Sequence, residues 1–369
     1  MTFPSPLHRA ALLGSALALV ACDVASFVND PKPILEQTWS LPASNTSIAV
    51  SKLLPTTVSI YSTPGSNPPD SSAFQMSFNN VAFLRRVGDD CAQCQTLNGT
   101  TAVKPAFVLT ASGSSALPQN VIASGSLLGA TVNYSLANNL SFDPLRVNTV
   151  TANPQGYMIV VVRSGTLVLG RDSVNGTTTP FPAGATLARS IPVGPGAITA
   201  PISIDLTVTS PVGDHNEFIN ANGTLNMTAA IANLRVGNVQ INVPGTAITN
   251  QPNTIDLAGL DKKITDHVQS AALEMAIDNP WTVAGNLTVD FTAAAATIAK
   301  TVALPGGTTP PATQVRTVAL TAIDMQQLFG KQVVLSISGG ITSPGPVIVS
   351  PKQKVSIANR LVLTIRTGS

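Results

Sequence analysis

The sequence predicts an all-β protein: two or more immunoglobulin-like antiparallel β-sandwich domains with one or two short helices. Three observations carry this. Segments of five to eight residues rich in Val, Ile, Leu and Thr recur along the chain, each bounded by Gly, Pro or Asn, as stacked short strands require. Several of them alternate strictly; in "SIDLTVTS", Ile204, Leu206 and Val208 fall on one face and Ser203, Asp205, Thr207 and Thr209 on the other, so one face meets a core and the other water. Only 10% of residues are charged and 4% aromatic, which leaves Ser, Thr, Asn, Gln, Gly and Ala to form the surface. A chain of 369 residues is long enough for two or three complete cores.

The elements follow in order. His8 and Arg9 make a short polar start, and the apolar run from Ala10 to Ala21 is well under the roughly 20 residues that span a bilayer, so it reads as a secretory leader rather than a membrane helix. The run ends in Leu19-Val20-Ala21-Cys22, aliphatic at the third position before a cysteine and small at the first. This pattern resembles the lipobox of bacterial lipoprotein precursors. The resemblance implies cleavage before Cys22, a diacylglyceryl group on its thiol and a membrane-anchored mature protein. Two or three acyl chains hold where one does not, since burial is worth about 0.8 kcal/mol per methylene. Residues 1–21 are therefore expected to be a signal peptide. Residues 22–72, with scattered Pro and Ser, an isolated Trp39 and the "YSTPGSNPPDSS" stretch at Tyr61 to Ser72, are expected to be tether and loop.

An N-terminal β region over 73–125 comes next, then a sandwich domain over 126–212 and a C-terminal sandwich over 213–369. Their strands include "GYMIVVVRSGTLVLGRD" (Gly156 to Asp172), whose Ser-Gly supplies a hairpin turn, "APISIDLTVTSP" (Ala200 to Pro211), "AGNLTVDFTAAA" (Ala284 to Ala295) and "KQVVLSISGG" (Lys331 to Gly340). "GLDKKITDHVQSAALEMAI" (Gly259 to Ile277) mixes helical and strand spacing; it reads as a helical turn or loop to about Ser270, then strand. A short helix is expected over 321–329, with Thr321 as cap, Asp324 completing a capping box, Leu328 and Phe329 as apolar contacts and Gly330 as the stop.

Four segments share an aliphatic residue, any residue, then Asn: "YSLANN" at Tyr134, "AAIANL" at Ala229, "EMAIDNP" at Glu274 and "VSIANR" at Val355. Asn suits a strand end because it accepts left-handed backbone angles and bonds its own backbone. A duplicated sandwich unit is one reading of the four matches and the general frequency of Asn at strand ends is the other. Around Asn279, Pro280 and Trp281 the chain also resembles the late embryogenesis abundant type 2 and related water-stress domains. That resemblance implies a noncatalytic β-sandwich. Trp281 is the candidate core or interface aromatic.

Chemistry-bearing residues are sparse. Cys91 and Cys94 form "DDCAQCQ", for which a disulfide pinning a hairpin is the expectation in an exported chain. Asp89 and Asp90 would oppose a reactive thiolate, Gln95 stands where haem attachment needs His, and a zinc site would need His215 and His267, both far along the chain. Asp214-His215 and Asp266-His267 pair acid with base, yet neighbours on a strand point to opposite faces, so solvated loop groups are the expectation. No phosphate loop, hydrolase elbow or metalloprotease motif occurs.

The net charge of +2, without a Lys or Arg block, argues against nucleic acid as a partner. No apolar run of 18 or more residues follows the leader. These readings point to a protein of the cell envelope, held by palmitate-type lipid to a membrane and facing the periplasm or exterior, without cofactor, metal or catalytic residues. It would serve as a structural or interaction module with a protein partner, such as an accessory subunit of a membrane complex. A carrier with an apolar cavity between sheets and an exported enzyme using the histidines are the alternatives.

Overall fold

The computed structural model of the chain describes residues 34–62, 72–150, 155–243, 245–249, 252–260, 264, 266–294, 296–308 and 312–367. The expected leader and Cys22 lie outside the described residues. From the N-terminus the strands are β1 (Leu35–Ala49), β2 (Val58–Ile60), β3 (Phe74–Met76) and β4 (Val81–Arg86). The single-turn helices α1 (Val87–Asp90) and α2 (Ala92–Thr96) follow, then β5 (Thr100–Val103), β6 (Phe107–Ser115), β7 (Val121–Asn139), β8 (Tyr157–Ser164), β9 (Leu167–Asn175) and β10 (Thr186–Val193). Next come β11 (Gly196–Ile198), β12 (Ile202–Ser210), β13 (Asn216–Ile219), β14 (Thr224–Val236), β15 (Val239–Ile241), β16 (Thr246–Thr249), β17 (Asn253–Asp256), β18 (Val268–Asp278), β19 (Ala284–Ala293) and β20 (Ala296–Leu304). The chain closes with β21 (Gln314–Leu320), α3 (Ala322–Leu328), β22 (Gln332–Thr342), β23 (Val347–Val349) and β24 (Lys354–Thr367).

All pairings given by the strand registers are antiparallel, and they form two sandwiches of one topology. In the first, β4-β14-β7-β10 faces β6-β12-β8-β9. In the second, β1-β24-β18-β21 faces β22-β19-β20, with β16 and β17 both on the free side of β22. Taken in chain order, β4, β6, β7, β8, β9, β10, β12 and β14 occupy the same places as β1, β16 with β17, β18, β19, β20, β21, β22 and β24. This is the connectivity of an eight-stranded jelly roll, not of the immunoglobulin-like sandwich expected within the same all-β class. Short strands β2, β3, β11, β15 and β23 extend the first sandwich's larger sheet to nine strands.

The sheets approach closely at their margins. An added Cβ at Gly113 of β6 would lie 2.5 Å from Val81 Cγ1 of β4, and one at Gly170 of β9 would lie 2.8 Å from Ile191 Cγ2 of β10. At either position a larger residue would force its neighbour to shift, so glycine is what lets the two edges lie this close. Between the sheets one face of each strand is buried: Ile204, Leu206 and Val208 of β12 are core, as their alternation predicts.

The first sandwich is inserted into the second. β1 pairs along its length with β24, so the segment expected to be tether supplies a margin strand of the C-terminal unit. The chain then builds the first sandwich and returns through β16. Other expected boundaries shift accordingly. The division at 125/126 falls inside β7, and that at 212/213 separates β12 from β14, which belongs to the same unit.

The four Asn matches fall in equivalent strands, β7 and β14 of one unit, β18 and β24 of the other. Asn138 Nδ2 donates to the carbonyls of Phe142 (3.0 Å) and Phe181 (2.7 Å), while its Oδ1 accepts from Leu140 N (2.9 Å). Asn279 repeats this with Val283 (2.9 Å), Pro305 (2.8 Å) and Trp281 N (3.0 Å). Phe181 lies between β9 and β10 and Pro305 between β20 and β21, so each Asn ties the same two connections of its own jelly roll. Asn233 and Asn359 sit inside β14 and β24 instead, at register irregularities, and do not end strands.

Helix α3 forms as its sequence predicts. Thr321 accepts from Asp324 N, Asp324 accepts from Thr321 N at 2.8 Å, and Gly330 takes a positive φ of 72° just past the end. Lys300 Nζ meets Asp324 Oδ2 at 2.6 Å, pinning the helix to β20. Three α-helices are present among the described residues, against the one or two expected. The extra elements, α1 and α2, are of four and five residues, too short to show a period.

Candidate functional site

The densest cluster of charged and polar side chains lies where β4 and β7 end and β14 begins. This end of the first sandwich is turned away from the crossings to the second, which run through residues 50–57, 237–245 and 343–353. β5 and β13 pair there as a separate two-stranded ribbon, Thr100 opposite Ile219 and Val103 opposite Asn216.

Lys104 directly follows β5 and turns inward; it is 1% exposed. Its Nζ donates to Ser210 Oγ, the last residue of β12, at 2.7 Å and to Asp143 O at 3.4 Å, and it lies 5.8 Å from the centroid of the Phe142 ring. Burial pushes the amine down to about 8, against the opposing pull of Glu217 and Asp143. Beside it, His215 Nδ1 lies 2.8 Å from Asp214 Oδ1, and Nε2 lies 3.1 Å from Glu217 Oε1. The contacts with His215 and Thr149 hold the Asp214 carboxyl far below the usual carboxylate range. Thr149 Oγ1 donates to Asp214 Oδ2 at 2.7 Å, and Arg146 Nε stands 3.7 Å from Oδ1.

Asp214 and His215 therefore touch, contrary to the expectation from strand alternation. Residues 211–215 precede β13 and are not strand, so the opposite-face rule does not govern them. His267 lies in an exposed turn far along the chain, as expected of a loop group.

Cys91 and Cys94 form the expected disulfide, with Cα atoms 5.2 Å apart. It spans one helical turn rather than the expected hairpin: Cys91 caps α2, and its Sγ accepts from Cys94 N at 3.0 Å. The α1 turn is tied back to β4 by Arg85, which donates to both Asp90 oxygens at 2.8 and 2.7 Å. Trp281 is core, 2% exposed, and its Nε1 donates to Gln353 Oε1 at 2.9 Å. Gln353 lies in the crossing that leads from the first sandwich to β24, so the indole also fastens the junction between units.

A lysine amine against a serine hydroxyl is a nucleophile-and-base arrangement. Here both are sealed, Ser210 at 2% exposure, so the pair acts as a tie between β5 and β12. What reaches solvent at this end is an apolar rim: Val103 and Phe218 on one face of the ribbon, Val212 and Val150 in the adjoining loops, and Val108 and Tyr157, which flank Thr209 on the outer face of the smaller sheet. Phe218 is 52% exposed. Sequence reasoning missed Lys104, Ser210, Glu217 and this rim. Single residues from β5, β12 and β13 meet only through the fold, and no local motif marks them.

No protein-family model matches the chain, and no curated protein matches it. Among solved structures it is similar to a "putative secreted protein" of Parabacteroides distasonis, at 8% identity over 89% of this chain and 99% of that one, with a TM-score of 0.29. It is also similar to PNGase F, a glycosylasparaginase from Flavobacterium meningosepticum, at 11% identity over 78% of this chain and 99% of that one, with a TM-score of 0.20.

Proposed function

We propose that this protein is a lipid-anchored module of a bacterial cell envelope, noncatalytic, which holds an interaction surface for a protein partner away from the membrane. The observation that carries the reading is the placement of the two ends. Ile34, twelve positions after Cys22 in the sequence, leads into β1 at the free end of the second sandwich, whereas the apolar rim of Phe218, Val103 and Val212 closes the opposite end of the first. The sealing of Lys104 and Ser210 supports a structural role for that amine-and-hydroxyl pair. No helix among the described residues is long and apolar enough to cross a membrane; the anchor in this reading is the acyl chains on Cys22.

Metabolic labelling with radioactive palmitate tests the anchor. Wild type should incorporate label and sediment with membranes, and Cys22→Ala should do neither. Equal labelling of the two would refute the reading. For the partner surface, Phe218→Ser should abolish co-purification of a stoichiometric protein from detergent-solubilised membranes while leaving the fold intact, since Phe218 is exposed.

A further inference from the structure

The free end of the second sandwich has a composition that its loops do not explain. Leu320 of β21, Ala271 of β18, Leu363 of β24 and Trp39 of β1 form one rung across the larger sheet, all on its core-facing side. Leu320, Ala271 and Leu363 are buried, while Trp39 is 38% exposed. Beyond this rung Ile365 of β24 is still buried, whereas at the sheet's margin Leu35 is exposed on the same side as Trp39. Ile34 precedes the strand, also exposed, and Ile323, on the helix that starts two residues after Leu320, is 67% exposed. Three strand spacings separate β1 from β21, so these side chains spread over about 14 Å of one end. Val268, Met325 and Phe329 line a hollow of about 760 Å³ there. Among the described residues the charges here are mixed: Glu36 faces Arg366 across β1 and β24, Asp266 and His267 sit in the adjacent turn, and Lys331 follows the helix.

We propose that this end is a membrane-seating surface, with Leu35, Trp39 and Ile323 entering the interfacial layer of the bilayer that holds the lipid on Cys22. The proposal rests on the anchor reading above. What selects a lipid surface over another occupant is the length of chain before the fold: Cys22 and Ile34 are separated by at most about 40 Å of extended backbone, so the first part of the body that an anchored chain brings to the bilayer is this apolar end. Tryptophan suits the boundary, with an apolar ring and a polar N–H. With groups of both signs among the described residues there, the seat should not need anionic lipid.

The test is independent of whether cells acylate Cys22. The chain from Cys22, with Cys91 and Cys94 bridged, has one free thiol, which is coupled to a maleimide-headgroup lipid in phosphatidylcholine vesicles. Trp281 is buried and serves as internal reference. Brominated acyl chains should quench part of the tryptophan emission, Trp39→Phe should abolish that quenching, and Leu35→Ser with Ile323→Ser should reduce it without altering the circular dichroism spectrum. Adding phosphatidylglycerol should leave the quenching unchanged. Emission of the tethered wild type that is indifferent to bromine and as open to acrylamide as in the untethered chain would overturn the seat and leave the anchor reading standing. Shielding of Trp39 from acrylamide without vesicles, together with a doubled mass, would overturn it in favour of a second copy. Quenching on vesicles with no acyl mass on Cys22 of cell-derived protein would uphold the surface and refute the anchor.

Discussion

At the scale of single residues, Lys104 gives the sharpest expectation. Its amine is driven down to about 8 by burial, whereas in the unfolded chain it titrates near the ordinary value of about 10.4. Between those values the unfolded chain holds a proton that the native state does not, so stability rises with pH across that window, and the cost is complete below it. The full span is about 3 kcal/mol. Lys104→Met removes the titration while keeping the side-chain length. Urea midpoints at pH 7.5 and 9.5 should show wild type gaining on the variant as pH rises; a difference that stays constant between the two would mean that Lys104 titrates as an exposed amine.

At the scale of elements, the paired Asn clamps stand out. Asn138 and Asn279 each satisfy three backbone groups, two carbonyls and one N–H, at matching connections of the two jelly rolls. Asn138→Ala and Asn279→Ala should each cost about 1–3 kcal/mol, because buried backbone groups lose their partners. A loss below 0.5 kcal/mol at both sites, read from chemical denaturation, would mean that water replaces the amide on about equal terms. The sequence pattern around these Asn residues was legible, as were the hairpin at Gly165, the alternation of β12 and the capping box of α3. Strand β1 was not, for a physical reason. A bulge between Pro42 and Ser44 moves its inward set from Leu35, Trp39 and Leu41 to Thr46 and Ile48, so no single period runs through it, and its first half faces solvent on both sides. The cluster around Lys104 was illegible because its members come from distant segments, Lys104 and Ser210 being 106 positions apart.

For the whole molecule, the insertion of one jelly roll into another makes the two units unequal. The first is continuous from β2 to β15, with only β23 added from elsewhere. Residues 55–243 should therefore fold alone with a strand-rich circular dichroism spectrum. Residues 246–369 should not, because β1, the partner of β24, lies ahead of the inserted unit, and adding residues 34–50 as a separate peptide should restore structure. Independent folding of 246–369 without the peptide would sink this. The same pairing sets a timetable. β1 leaves the ribosome long before β24, so the C-terminal sheet cannot close until β24 has emerged. Until then a margin strand waits unpaired, a standing invitation to misassociation, and a chaperone that shields it would govern how much protein matures.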